Sequence, residues 1–142
     1  MTHRVIYHSV TGSTRKIARE IASALGGSAE EAAEITAPLE ADVIYVGGAC
    51  YKGRLHPKLI ACIRTLNPKQ VGRAVLFATG FPQTSAVDRM RSLLTEQGIP
   101  VHGETFISRG RFLLFNWSHP DAEDCKAARD FALRSFADVK ES

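Results

Sequence analysis

Three short runs, Val5-Ile6-Tyr7, Val43-Ile44-Tyr45-Val46 and Ala74-Val75-Leu76-Phe77-Ala78, are apolar at every position rather than at alternate ones. A strand with that pattern needs cover on both faces, as in a parallel sheet held between two helical layers. The intervening segments can supply the cover. Residues 13–25 put Ile17, Ala18, Ile21, Ala22 and Leu25 on one helical face and Arg15, Lys16, Arg19 and Glu20 on the other, with Gly26-Gly27 as the stop. The same spacing predicts helices over 57–66 (Leu59, Ile60, Ile63, Leu66 inward) and over 85–97 (Val87, Met90, Leu93, Leu94 inward), the latter ended by Gly98. Residues 101–107 predict a last strand, and 121–139 a closing helix with Pro120 near its first turn. Residues 28–36 favour helix by propensity, yet the spacing leaves room only for a short strand.

Strands alternating with helices make βαβ units, hence an α/β chain. Five parallel strands fit this length as a single domain over residues 1–142. In the order 2-1-3-4-5 the weak strand near residue 30 falls at an edge, where poor β propensity costs least. Ligands of such sheets bind beyond the carboxyl ends of the strands, at the switch point between strands 1 and 3.

The loop at that point is Ser9-Val10-Thr11-Gly12-Ser13-Thr14. Four hydroxyls and one glycine here precede a helix, whose N-terminus adds about half a positive charge. Two readings stand: a capped helix whose hydroxyls serve only the backbone, or a cradle for a phosphate held by neutral donors and a dipole. Other phosphate loops do not fit, because Gly12 has no partner glycines and no Gly-Lys-Ser/Thr follows. A phospho-acceptor domain of the same strand order would need an Asp at a strand end, where this chain has His8-Ser9 and Thr79-Gly80.

The loop resembles the phosphate loop of the flavodoxin family, Thr/Ser-x-Thr-Gly-x-Thr directly after strand 1, with Ser9, Thr11, Gly12 and Thr14 as the matches. The resemblance extends along the chain. Residues 43–53 look like the family's third strand and first ring loop, and 74–83 like the fourth strand and second ring loop. Gly110-Arg111-Phe112, then His119-Pro120-Asp121 and an Ala-rich helix, look like the end of a short-chain member. It implies a flavodoxin-like three-layer sandwich and non-covalently bound FMN. The phosphate would lie on Ser9, Val10, Thr11, Gly12, Ser13 and Thr14. The ring would lie between Gly48, Ala49, Cys50, Tyr51, Lys52 and Gly53 on one side and Thr79, Gly80, Phe81, Pro82 and Gln83 on the other.

Within that frame Tyr51 and Phe81 are the candidate stacking aromatics, and Gly47, Gly48 and Gly53 read as positions for positive φ and close ring approach. Tyr51 could instead cover the sheet edge, and Phe81 could turn into the core. Cys50 is a small buried residue or a redox-active thiol. His8 could approach the phosphate but reads better as a structural histidine bonded to a loop backbone, and Trp117 reads as core or loop cover, with an exposed patch for a partner as the alternative. No His/Asp/Glu cluster falls in the three loops, which suits an electron carrier without an acid, base or nucleophile.

Composition narrows the partners. At 44% hydrophobic and 23% charged residues the chain is neither disordered nor fibrous. No apolar run approaches the ~20 residues needed to span a bilayer. The net charge of +3 is segregated: residues 1–42 carry −2, residues 88–142 carry −1, and residues 43–87 carry +6 with no Asp or Glu. Lys52 and Arg54 lie in the first ring loop itself and Lys58 just beyond it. They favour an anionic partner, either a redox protein or a small-molecule electron donor or acceptor, unless folding brings acids near to neutralise them. Positive charge there would also make the last flavin reduction easier than in acidic flavodoxins. Six basic residues without interleaved aromatics do not make a nucleic-acid surface. An FMN-dependent NAD(P)H or quinone oxidoreductase is the alternative function, and a flavin-free binding module a third. Cys50, Cys62 and Cys125 have no CxxC spacing, which argues against a disulfide framework or zinc site; with no cleavable leader pattern, the expected compartment is the cytoplasm.

Overall fold

The computed structural model describes residues 1–51, 54–80, 84–108 and 122–141, with the side chains of Tyr51 and Thr84 left aside. In chain order the elements are β1 (His3–Tyr7), α1 (Ser13–Ala24), β2 (Ala29–Glu31), a 3-10 turn (Ala32–Glu34), β3 (Ala41–Gly48), β4 (Cys50–Tyr51) and β5 (Arg54–Leu55), followed by α2 (Pro57–Arg64), β6 (Val71–Thr79), α3 (Thr84–Glu96), β7 (Phe106–Ser108) and α4 (Ala122–Glu141). Five strands form one parallel sheet in the order β2-β1-β3-β6-β7, which is 2-1-3-4-5 when the main strands are counted in turn. The two-residue strands β4 and β5 form a separate antiparallel hairpin beyond β3.

The continuous apolar runs bury both their faces. Val5, Tyr7, Val43, Tyr45, Val75 and Phe77 point to one side, where Ile17 and Ile21 of α1 and Phe131 of α4 cover them. Ile6, Ile44, Val46, Leu76 and Ala78 point to the other, under Leu59 and Ile63 of α2 and Met90 and Leu93 of α3. The first face carries one polar tie: the buried Tyr45 hydroxyl lies 2.8 Å from Ser135 Oγ and donates to Ala132 O at 3.2 Å, pinning α4 across the sheet centre. Burial pushes the Tyr45 phenol up to about 12.

Residues 28–36 resolve into a three-residue strand on the β1 edge and a 3-10 turn. Parallel pairing with Val5, Ile6 and Tyr7 overrides the helical propensity of the Ala/Glu run. Gly26 at φ 80° and Gly98 at φ 81° adopt the left-handed conformation that ends α1 and α3. The strand expected over 101–107 is corrected. Val101 makes one bridge to Ala74, and only Phe106–Ser108 pair along β6. Between them the chain is drawn toward α4, where Glu104 accepts from Arg134 at 2.9 Å and His102 Nε2 lies 4.0 Å from Asp138.

Candidate functional site

The carboxyl ends of β1, β3 and β6 converge on one edge, and the predicted loops leave from it. Gly12 is the N-cap of α1, at φ 93°, a conformation that L side chains rarely adopt. It turns the chain so that the first helical amides face the space beyond β1. Gly12 offers no side-chain cap, and no acidic residue lies in the first turn of α1. A helix start of this kind suits an anion.

The hydroxyls divide into roles. Ser9 Oγ accepts the Gly12 N–H at 2.9 Å, which fixes the turn and leaves the hydroxyl proton for a ligand. Thr11, exposed beside Val10, donates to Ser13 Oγ at 3.3 Å. Thr14 is buried, and its hydroxyl lies 2.6 Å from that of Thr79 at the end of β6. That bond ties the loop after β1 to the end of β6 and commits the two hydroxyls to each other.

Arg15 is a cation the sequence reading left out of the loop. Its Nη2 lies 3.4 Å from where a Cβ at Gly12 would stand, so a guanidinium folds back over the turn. Its place one residue past the motif was the available signal. A phosphate cradled here meets neutral donors, the dipole and this nearby positive charge.

The two ring loops start side by side. Gly80 has φ 113°, its N–H donates to Ser108 O at 3.1 Å, and a Cβ on it would come within 3.9 Å of Ala49 Cβ. Gly47 and Gly48 do not adopt the positive φ expected of them, which corrects that part of the sequence reading. Both belong to β3, and neither has positive φ. A Cβ on Gly47 would overlap Phe77 at 1.9 Å, and one on Gly48 would meet Leu59 Cδ2 at 2.5 Å. These glycines make room for core side chains. Cys50 is half-buried and packs against the α2/α3 side of the core, in keeping with a small packing residue. Tyr51 is placed by its backbone in β4. Lys52, Gly53, Phe81, Pro82 and Gln83 lie outside the described residues, as do Gly110, Arg111, Phe112, Trp117, His119, Pro120 and Asp121.

The basic segment separates into two groups. Arg54 in β5 and Lys58 in the first turn of α2 are exposed at the carboxyl end of the sheet, beside the first ring loop. Arg64 closes α2, and Lys69 and Arg73 lead into and begin β6, so these three lie at the opposite end. Among the described residues none of the five forms an ion pair with another. Arg54 and Lys58 thus make no ion pair with a described acid, although Glu31 acts on His56 beside Lys58.

Comparison with known proteins agrees with this geometry. The model of a flavodoxin domain family matches residues 4–110. Among solved structures, oxidised flavodoxin 2 from Bacillus cereus superposes with a TM-score of 0.71 at 21% identity, covering 97% of this chain and 99% of that one. A flavodoxin from the domain Archaea gives 0.71 at 17% identity over 99% of each chain. The apo form of an NADH:FMN oxidoreductase gives 0.71 at 14% identity, covering 97% of this chain and 90% of the other. No curated protein sequence matches significantly.

Proposed function

From the premise that this chain belongs to the flavodoxin domain family, we propose that it binds FMN without a covalent link and passes electrons to and from a partner. The observation that carries this reading is the N-terminus of α1 behind a left-handed Gly12, at the switch point of the sheet. Its donors suit a phosphate monoester, and a flavin-free module has no use for them.

Bound there, the flavin would supply one- and two-electron chemistry. The chain's own residues hold and tune it. Ser9 and the first amides of α1 bind the phosphate; Gly80, Ala49 and Cys50 form the floor between the ring loops. Thr14 and Thr79 keep the two halves of the site in register. Nothing in this set acts as an acid or base on a substrate, which favours a carrier. No helix among the described residues is long and apolar enough to cross a membrane. We take the cytoplasm as the working compartment on the number and spacing of the cysteines.

Arg54 and Lys58 define the partner. Electron-carrier flavodoxins are typically acidic around the flavin, whereas here two exposed cations stand by the first ring loop. They suit an acidic redox protein or an anionic small-molecule donor or acceptor, and they stabilise negative charge on the reduced ring. In a redox titration, the double variant Arg54→Glu/Lys58→Glu should shift the second reduction potential to more negative values by tens of millivolts, a shift that shrinks in high salt. An unchanged potential would remove these residues from the site.

The same two cations leave one rival reading, an FMN-dependent NAD(P)H or quinone oxidoreductase in which they meet the nucleotide phosphates. Stopped-flow mixing of the FMN-loaded protein with NADH and NADPH separates the two. A carrier stays oxidised until a reductase is added; direct reduction on the time scale of turnover would favour the enzyme.

A further inference from the structure

An open groove of about 670 Å³ lies at the β2 edge of the sheet, between α1 on one side and β2 with residues 34–38 on the other. Arg15 and Arg19 stand one helical turn apart on the exposed flank of α1, and neither forms an ion pair among the described residues. Two of the acids along the groove are already engaged. Glu30 accepts from Arg4 Nε at 2.7 Å, and Glu31 Oε1 lies 2.7 Å from Nδ1 of His8, whose ring stacks on His56. Glu34, at the end of the 3-10 turn, forms no ion pair among the described residues.

Tyr7 ends β1 and lines the same groove. It is only 6% exposed, and its hydroxyl makes no hydrogen bond among the described residues. Burial first, then the charges of Glu31 and Glu34, raise its pKa against the opposing pull of Arg19 and Arg15, so the phenol keeps its proton. A donor this deeply buried without an acceptor is one that a ligand can complete.

The groove continues the phosphate turn. Arg15 lines it, and Arg15 Nη2 lies 3.4 Å from where a Cβ on Gly12 would stand. In the sheet order β2-β1-β3-β6-β7 the ring-side loops leave β3 and β6 on one side of β1, and the groove follows β2 on the other. A cofactor with its ring over β3 and β6 and its phosphate on the Gly12 turn therefore points that phosphate toward the groove. FMN ends there. A longer cofactor would find two guanidiniums for a second phosphate, a carboxylate for a ribose diol and a phenol donor. Glu34 stands past the end of β2, roughly 20 residues after the phosphate-turn glycine. In dinucleotide-binding α/β sheets an acid so placed accepts from the adenosine ribose.

Building on the FMN reading, we propose that this groove is a subsite for an adenosine 5′-phosphate unit, and that the chain therefore holds FAD, the dinucleotide of the same flavin, more tightly than FMN. Arg15 and Arg19 meet the second phosphate, Glu34 accepts from the ribose hydroxyls, and Tyr7 donates its phenol proton to an oxygen of the unit. The flavin half stays where FMN would lie, so the added affinity comes from the groove alone.

The test is to titrate the whole chain, Arg19→Gln and Tyr7→Phe with FMN and with FAD by calorimetry. The wild type should bind FAD about tenfold more tightly than FMN. Arg19 is exposed and lies a turn beyond the residues that meet the first phosphate. Arg19→Gln should therefore fold normally, bind FMN as the wild type does, and bring the ratio of the two affinities close to one. Tyr7→Phe keeps the ring in the core and should lower the same ratio about threefold. Equal affinities for FAD and FMN in the wild type, or a preference unchanged in either variant, overturns the subsite and leaves the FMN reading standing. Failure of both flavins to bind overturns both.

Discussion

Gly12→Ala is expected to lower FMN affinity by roughly 100-fold in a protein that still folds. The cause is conformational. A Cβ at this position meets only Arg15 Nη2, at an ordinary 3.4 Å, so no clash is involved. The cost comes from φ 93°, which a residue with a side chain adopts at a penalty of about 1–2 kcal/mol. The loop can escape that strain only by rotating out of the turn that Ser9 fixes through the Gly12 N–H. Rotation withdraws the α1 amides from a bound phosphate, and hydrogen bonds to a charged group are each worth about 1.5–3 kcal/mol. Riboflavin, with no phosphate to lose, should bind both proteins alike. An affinity for FMN within about threefold of wild type would mean that the turn does not serve the phosphate.

Gly47→Ala should produce the largest loss of stability of any single methyl addition at the site, about 3 kcal/mol, seen as a fall in Tm of roughly 10 °C. Gly47 sits opposite Phe77 across the β3–β6 ladder, and Phe77 is fully buried beneath α1 and α4. A Cβ would stand 1.9 Å from Cε2 and 2.1 Å from Cζ of that ring. The ring cannot move aside in a close-packed layer without displacing its neighbours. Gly48→Ala is the internal comparison. It meets the flexible end of Leu59 at 2.5 Å and should cost less than half as much. Adding Phe77→Leu should restore most of the stability lost in Gly47→Ala and none of that lost in Gly48→Ala. Chemical denaturation of the wild type and these four variants reads this directly, and equal losses for both glycines would contradict the packing account.

These two glycines mark the border of what the sequence could reveal. Gly12 was legible because its role is local: strand, hydroxyls, glycine and helix follow one another within a dozen residues. Gly47 and Gly48 were read in the same local terms and wrongly, since what they accommodate comes from β6 and α2. The central strands were legible because apolar runs need no partner to be recognised. The short edge strand β2 and the break after Val101 were less so. The first exists only because β1 offers an edge, and the second because Glu104 and His102 are drawn to α4. The cluster of His8, Glu31 and His56 comes from three separate elements, and no spacing in the chain announces it. The charge of residues 43–87 was legible in amount but not in place: Arg64, Lys69 and Arg73 lie at the far end of the sheet, and of this segment's described cations only Arg54 and Lys58 lie at its carboxyl end.

The most direct measurement is an anaerobic titration of the purified chain with FMN, followed by flavin fluorescence and visible absorbance. The account predicts quenching that saturates at one FMN per chain, a yellow protein, and an affinity for FMN well above that for riboflavin, because much of the binding resides in the phosphate turn around Gly12. A chain that stays colourless, or that binds riboflavin as tightly as FMN, would contradict it.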